Sequence, residues 1–386
     1  LRTIESAIAF VLHGAASQER ERAVKRMCEL GEKLGERAQL LRGLISLGAL
    51  HWNRGESLLG YELAERYLDL AETMQDAQLL VEAHYNAGLL AYSCGNLRQA
   101  LSHLDAAQRH ASGASLADKV SPLAGVLYKS RFASVRALSL QLLGRPDEAL
   151  KSAEQGLRDT RDAKHLFSLA FALTAPGSIF RHYRREPEIA LVQAEEGIAL
   201  SQENGFSEML NWGRFTQGWA LVELGQPDRG IAEMEAAVAG FHYRGGVPFQ
   251  QYRIALLTHG YAKVGRTDEA LTVLGQALTR IDHTGEAIDH PEILRLKGEV
   301  LLMHDSSAAA EAENCFRAAL EIARAQEAKW WELRTTVSLA RLLRDTNRRD
   351  EARMMLAEIY GWFTEGFDTA DLKEAKALLE ELGTQN

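Results

Sequence analysis

The segment that comes nearest to a nucleotide-binding motif runs from Gly260 to Thr267 and reads GYAKVGRT. Its glycine spacing is that of a phosphate-binding P-loop, but Arg266 stands where the motif requires Lys. A P-loop also follows a strand, so that its backbone amides can surround the phosphate groups. The apolar residues around this segment have helical spacing. We therefore interpret it as the end of a helix followed by a turn.

Residue types suited to other chemistry are scattered along the chain. The twelve histidines show no recurring ligand spacing, and the chain contains neither an HExxH motif nor a nucleophile elbow. Cys28, Cys94 and Cys315 lie far apart without a CxxC pair, which favours small packing residues in a reducing compartment over a disulfide framework or a zinc site. We predict no catalytic residue, no cofactor and no metal site, and hence a protein that is not an enzyme.

Charge and hydropathy narrow the choice of partners. The net charge of −9 argues against nucleic acid as the main partner, since binding phosphates requires a basic surface. We found no apolar run near the ~18 residues that a membrane span needs. These features predict a cytoplasmic protein without a membrane contact. The chain begins at Leu, and we expect it to be a fragment of a longer protein.

The elements that would position any site are helix pairs in a repeat. Two such pairs turn at Gly225 and Gly265, which are 40 residues apart, with small and large apolar residues at matching offsets. Further turns near residues 55, 95, 144, 185, 305 and 347 keep this spacing, except for one interval of 49 residues that holds a Ser- and Gly-containing loop. Repeats of this period are typical of α-solenoids.

We therefore predict an all-α, tetratricopeptide-like solenoid of about nine antiparallel helix pairs that forms a right-handed superhelix. The array would fill residues 1–386, with N-terminal repeats at 1–113, a looser connection at 114–121, and central and C-terminal repeats at 122–365. Residues 366–386 would form a capping helix and a tail, since the ends of a solenoid must be covered. Pro176 and Gly177 predict a kink or break in one helix.

The offsets of the small, aromatic and Leu-Gly positions resemble tetratricopeptide repeats, although the period exceeds their usual 34 residues. The segment 310–382, and above all its end YGWFTEGFDTADLKEAKALLEEL, resembles the C-terminal repeats of large bacterial signalling proteins. Those proteins are class III adenylate or guanylate cyclases and transcriptional regulators that carry a STAND-type, AAA-like ATPase. The segments HLFSLAFAL at 165–173 and RREPEIA at 184–190 are also similar, so the resemblance covers most of the chain.

The resemblance implies a regulatory array that senses a partner or ligand, and it implies no catalytic residue here. In that family the output domain and the ATPase precede the repeats. This sequence contains no Walker motif and no cyclase aspartates in context. The segment 119–136 departs from the Gly- and Asp-rich segment of the family, so its recognition role does not carry over.

A binding surface is expected on the concave side, where the first helix of each tetratricopeptide pair faces inward. The groove positions carry Trp, Tyr and Arg, the residue types that anchor partners in binding sites. The groove-binding candidates are Tyr85, Tyr92, Arg131, His182, Trp212, Phe215, Trp219, Tyr252, His259, Arg295, Arg334 and Arg341. Trp52, Glu292, Glu299 and Arg344 occupy equivalent positions, and packing against neighbouring helices is the alternative for each residue. Trp330, Trp331 and Trp362 are expected to pack in the core or against the cap.

Two functions remain open from these residues. The first is a scaffold that binds a peptide, a protein or a neighbouring domain of the same polypeptide, and it predicts an open, solvent-filled groove. The second is a small-molecule sensor that controls an attached ATPase and output domain. It predicts a closed pocket around Trp212, Trp219 and Tyr252. An enzyme in its own right has no motif to support it.

Overall fold

The protein is described from a computed structural model that covers residues 17–243 and 249–384. Predictions for the first helix of the first pair fall on residues 1–16, outside the described part. Within it the chain forms eighteen α-helices: α1 (Gln18–Leu34), α2 (Arg37–Asn53), α3 (Ser57–Met74), α4 (Ala77–Ser93), α5 (Leu97–Gly113), α6 (Tyr128–Leu142), α7 (Pro146–Asp162), α8 (Leu166–Arg184), α9 (Pro187–Asn204), α10 (Ser207–Glu223), α11 (Pro227–Tyr243), α12 (Gln250–Lys263), α13 (Thr267–Thr284), α14 (His290–His304), α15 (Ala309–Ala325), α16 (Lys329–Asp345), α17 (Arg349–Trp362) and α18 (Ala370–Gly383).

The helices form antiparallel pairs from α2 and α3 to α16 and α17, which confirms the predicted all-α, tetratricopeptide-like solenoid. Local sequence explains the boundaries of the pairs. Pro146, Pro187 and Pro227 open second helices, where a fixed φ is favourable and no amide donor is lost. Small residues allow the close approach inside a pair. A Cβ atom on Gly218 would lie 2.6 Å from the carbonyl oxygen of Gly230 in the facing helix.

The two helices of a pair differ in burial. Second helices such as α5 bury one stripe, Leu97, Ala100, Leu104, Ala107 and Ala111, and expose the opposite face. First helices such as α4 and α16 are buried on almost every side. The first helix of each pair is called an inner helix; the inner helices are α2, α4, α6, α8, α10, α12, α14 and α16. The all-round burial of α4 and α16 means that the concave side of the array is filled by protein along these helices.

Turns of the N-terminal half contact segments of the C-terminal half some two hundred residues later. Arg98 forms a 2.5 Å ion pair with Glu327, and Arg280 donates a 2.8 Å hydrogen bond to the carbonyl oxygen of Arg54. The backbone amide of Asp147 donates to the carboxylate of Glu365 at 3.0 Å. We call these contacts the closure seam, defined as those of residues 54–58, 93–98 and 144–147 with residues 280–289, 326–329 and 362–366. The array is therefore wound closed on itself.

Three local predictions have different outcomes. Of the predicted kink or break at Pro176, the break is wrong: α8 continues through the proline, and buried side chains on both sides hold the helix in place. α18 packs against α16 and α17 as a cap. Trp330 and Trp331 are fully buried, whereas Trp362 is 44% exposed and packs edge-on against Phe363.

Candidate functional site

Four of the aromatic groove candidates lie inside a buried aromatic cluster. Tyr92, Trp212, Phe215 and Tyr252 are each at most 4% exposed. The rings of Trp212 and Phe215 both lie 6.4 Å from the ring of Tyr252, and the hydroxyl of Tyr92 lies 3.0 Å from the hydroxyl of Tyr183. Inner helices from distant repeats meet at this cluster. In this closed form these four side chains are buried within the cluster. The open groove around them that the scaffold hypothesis predicts is therefore not present among the described residues.

Tyr85 and Arg131 form a second buried group, away from the first. The guanidinium of Arg131 lies 3.7 Å above the ring of Tyr85 and pairs with Glu82 at 2.9 Å. The same Glu82 accepts a 2.8 Å hydrogen bond from Tyr128. The ion pair is thus satisfied inside the protein, and in this form the two candidates join α4 to α6.

The remaining six candidates line a cavity of about 380 Å³ on the inner side of the C-terminal half. They are His182, Trp219, His259, Arg295, Arg334 and Arg341. These six residues lie on the inner helices α8, α10, α12, α14 and α16, and residues of α18 complete the cavity lining. The size is at the lower end of the range of small-ligand sites.

One wall of the cavity is a continuous chain of alternating charges. It begins at Glu299, whose carboxylate pairs with Arg295 at 2.5 Å, and Arg295 also contacts Glu292 at 2.7 Å. Arg334 lies 3.6 Å from Glu292 and 3.0 Å from Asp371. The row of charges then continues from Asp371 to Arg185 at 3.4 Å. Arg185 pairs in turn with Glu374, and Glu374 pairs with Arg341. Four guanidinium groups and four carboxylates therefore face the cavity in alternation.

The electrostatics of this wall follow from burial and pairing. Burial would raise the pKa of the Glu292 carboxyl, but Arg295 and Arg334 outweigh it and lower the pKa to about 2. Burial, assisted by Arg334, lowers the pKa of His182 well below its usual value. The imidazole of His182 is thus neutral at pH 7, while Glu292 is ionised.

Another part of the cavity lining carries a smaller charged group. His259 contacts Glu223 at 2.7 Å, and Lys263 contacts the same carboxylate at 2.8 Å. Burial would raise the pKa of Glu223, but the hydrogen bonds from His259 and Lys263 lower it to about 2. Glu188 also lines the cavity and is exposed. With six carboxylates and four guanidinium groups, the lining suits a polar ligand that carries positive charge or charges of both signs.

Sequence reasoning missed several residues of this site. Asp371 and Glu374 come from α18, which we had expected only to cover the end of the stack, and Arg185 comes from a repeat turn. Arg185 and Asp371 are 186 residues apart in the chain. The one local signal was the spacing of Asp371 and Glu374, which places both acids on one face of a helix.

The other groove positions serve packing or lie elsewhere. Trp52 donates a 3.1 Å hydrogen bond to Ser93 and meets the ring of Phe249 edge-on at 5.5 Å. Arg344 pairs with Asp345 and Glu381 outside the cavity. Glu292 and Glu299 belong to the charged wall described above.

Two kinds of feature are not found in the described part of the chain. Among residues 17–243 and 249–384, no helix combines the length and apolar character required to cross a bilayer. In the same ranges, no group of three His, Cys, Asp or Glu side chains is placed to hold a metal ion. The segment from Gly260 to Thr267 forms the end of α12 and a turn, as predicted.

Comparisons with known proteins agree with this fold. A family model described as tetratricopeptide repeat matches residues 130–155. The crystal structure of a Rap protein complexed with competence and sporulation factor superposes over 99% of this chain and 98% of its own, with a TM-score of 0.61 and 15% identity. The apo form of RapI covers 78% of this chain and 99% of its own, with a TM-score of 0.46 and 14% identity.

A third structure is a STAND protein with a tetratricopeptide repeat sensor from Pyrococcus horikoshii. It covers 95% of this chain and 55% of its own, with a TM-score of 0.42 and 15% identity. A search of curated proteins finds no match. At 15% identity the superposition on the first Rap structure shows the fold alone, a tetratricopeptide-like helical array.

Proposed function

We propose that the array is a non-catalytic sensor that binds a short peptide in the charged cavity and reports its presence to another domain or protein. The observation that carries the proposal is the cavity wall. Guanidinium and carboxylate groups alternate along this wall, and a peptide with free termini or charged side chains offers complementary groups of both signs. The superposition over 99% of this chain on a Rap protein that is complexed with a factor supports a ligand-binding role for an array of this fold.

The shape of the cavity supports a short ligand over a folded domain. Its wall joins Arg185, in the turn between α8 and α9, to Asp371 and Glu374 of α18. The cavity therefore exists only while the array is closed. A ligand that contacts both sides stabilises the closed form by mass action. Signalling then consists of a change in the balance between closed and open arrays.

The test compares Arg341→Ala with Arg344→Ala in binding to peptides selected from a random pool of short peptides with free termini. Arg341 lies in the cavity wall and is half-exposed, whereas Arg344, one turn further along α16, lies outside the cavity. Loss of a charge-assisted hydrogen bond costs about 1.5–3 kcal/mol, so Arg341→Ala should weaken binding about tenfold or more. Arg344→Ala should change it less than about twofold, because exposed pairs contribute little. Equal affinities for both variants, or the absence of any selected peptide, would refute the proposal.

A polar small molecule is the second candidate, and the volume of about 380 Å³ favours it. A metabolite pool that raises the melting temperature of the wild type but not of Arg341→Ala would identify this alternative. Trp219 lines the cavity, but Trp212 and Tyr252 do not, so such a ligand would bind the charged wall and not an aromatic pocket.

We also propose that this chain is the sensor of a larger cytoplasmic signalling protein of the STAND type, on the resemblance of residues 310–382. Its output domain would be a class III cyclase or a transcription regulator. The reading frame upstream of Leu1 tests this directly. A frame that encodes neither an ATPase nor such an output domain would contradict it.

A further inference from the structure

A five-residue connection between α13 and α14, residues 285–289, forms the centre of the closure seam. The backbone amides of Ala287 and Ile288 both donate to the carbonyl oxygen of Ser93, at 2.9 and 3.1 Å. On the other side of the connection, the carbonyl oxygen of Ile288 accepts a 3.0 Å hydrogen bond from the indole nitrogen of Trp331. The carbonyl oxygen of Ala287 accepts a 2.7 Å hydrogen bond from the side-chain amide of Gln326. This connection therefore joins the end of α4 to α16 across the axis of the array.

The connection carries two buried carboxyl groups. Glu286 is 3% exposed and Asp289 is 2% exposed. One oxygen of Asp289, Oδ1, accepts a 3.0 Å hydrogen bond from the hydroxyl of Tyr183. The second oxygen, Oδ2, and Oε2 of Glu286 are buried without a hydrogen-bond partner among the described residues. Such oxygens are costly when ionised, because they lose their hydrogen bonds to water and no donor from the described part of the protein replaces them at these two oxygens.

The surroundings of Glu286 only partly compensate a negative charge. Arg253 of α12 and Arg280 of α13 face it, together with the backbone of Gln250 and, from the end of α4, Cys94. Arg280 also donates to the carbonyl oxygen of the turn at residue 54, so its guanidinium is shared. Burial has the larger effect and raises the pKa of Glu286 to about 8 despite the two arginines.

Asp289 is surrounded by neutral hydroxyls and a further negative charge. The hydroxyl of Tyr183, from α8, donates to Asp289, and the hydroxyl of Tyr92, from α4, lies within hydrogen-bond distance of that of Tyr183. Tyr252, from α12, is near enough for the charge of Asp289 to raise the pKa of its hydroxyl, in addition to the larger effect of burial. Glu292, one turn along α14, adds repulsion. Burial raises the pKa of Asp289 to about 7, although the hydrogen bond from Tyr183 opposes the rise.

We propose that Glu286 and Asp289 form a proton-operated latch, which holds the closure seam shut when protonated and releases the 285–289 connection from α4 when ionised. The closed array then binds more protons than the open one between the ordinary carboxyl pKa, about 4, and the raised values near 7 and 8. The stabilisation of the closed form is complete below about pH 4, falls progressively as the pH rises above that value, and is fully lost above the raised values near 7 and 8.

The latch adjoins the cavity. Asp289 lies one turn before Glu292 in the charged wall, and Tyr183 directly follows His182, which also lines the cavity. Release of the connection therefore disturbs two sides of the cavity. The latch acts on the closure of the array, independently of the ligand that the cavity binds.

Hydrogen exchange of the full chain between pH 4.5 and 8.5 tests the latch. After correction for intrinsic exchange, the protection of the amides at 287 and 288 should fall with rising pH, by up to about tenfold per pH unit for each proton released. The variant Glu286→Gln/Asp289→Asn mimics the protonated pair. It should keep at pH 8.5 the protection that the wild type shows at pH 4.5.

The control is Glu365→Gln, which removes a carboxylate from another contact of the closure seam and should leave the pH dependence of residues 287 and 288 unchanged. Helical circular dichroism that stays constant over the same range shows that the seam opens without unfolding. A flat wild-type profile, an unchanged slope in the double variant, or a parallel loss of helix would overturn the proposal. If the double variant does not fold, each single variant should reduce the slope, and two unchanged slopes would overturn the proposal equally.

Discussion

A pair of glycines offers a test of whether the array is closed in solution. Gly205 and Gly285 both terminate second helices, α9 and α13, in the left-handed region, with φ of 72° and 67°. They differ in one respect. A Cβ atom on Gly285 would lie 2.6 Å from Cβ of Leu58 and 3.4 Å from its backbone nitrogen, whereas a Cβ on Gly205 would meet nothing within 4 Å.

The expected costs follow from this difference. An L-residue in the left-handed region costs about 1–2 kcal/mol, so Gly205→Ala and Gly285→Ala share that penalty. Carbon atoms in contact prefer about 3.5–4.0 Å, so the extra methyl group at Gly285 must displace Leu58 by about 1 Å. Overpacking of this kind costs about 1–3 kcal/mol. We expect Gly285→Ala to be the more destabilising variant by that amount.

Urea unfolding followed by circular dichroism measures the difference, and small-angle scattering of the folded variants measures the shape. Gly285→Ala should unfold at lower urea, and its radius of gyration should exceed that of Gly205→Ala if the array relieves the clash by opening. If the two variants lose the same stability within about 0.5 kcal/mol, the usual uncertainty of additivity for separate sites, then Leu58 does not lie against Gly285 in solution. The closed form of the array would then be wrong.

Two further predictions concern buried charges and histidines. Arg334→Met removes one partner of the buried pair with Asp371 and should lower the free energy of unfolding, measured in urea, by about 3–5 kcal/mol. Arg344→Ala, whose partners are exposed, should lower it by at most about 1 kcal/mol. Similar losses for both variants would contradict the burial of the pair Arg334–Asp371. Burial, with His103, His110 and Arg109 nearby, lowers the pKa of His84 to about 4. The imidazole of His84 takes up a proton in the unfolded chain from about pH 6.5 downward, so the free energy of unfolding should fall between pH 6.5 and 4. In urea midpoints measured across that range, His84→Gln should fall less steeply than the wild type. An unchanged slope in His84→Gln would exclude this histidine as a cause.

Much of the fold follows from local features that sequence shows directly. The turns at Gly225 and Gly265, their spacing of 40 residues and the small side chains between facing helices correctly predicted the helix pairs. These features act within about forty residues of chain, since they concern capping, turn conformation and the approach of two consecutive helices. The helix through Pro176 is the local exception, because packing on both sides of α8 outweighs the missing backbone hydrogen bond.

The candidate site was predictable only in part. The inward positions of His182, Trp219, His259, Arg295, Arg334 and Arg341 followed from the repeat register, and the structure brings them together around one cavity. The same register pointed to Tyr92, Trp212, Phe215 and Tyr252, which lie instead in the buried cluster. Position within a repeat determines which way a side chain faces. It does not determine how much space remains on that side.

The sequence by itself determined the class of fold, the helix pairs and the inward-facing residues, because each depends on neighbours in the chain. Only the tertiary structure decided that the array closes, that α18 contributes Asp371 and Glu374 to the cavity, and that Glu286 and Asp289 are buried. The physical reason is the superhelix. Small rotations between successive pairs accumulate over the array, and their sum brings residues about two hundred positions apart into contact, which no short segment of sequence records.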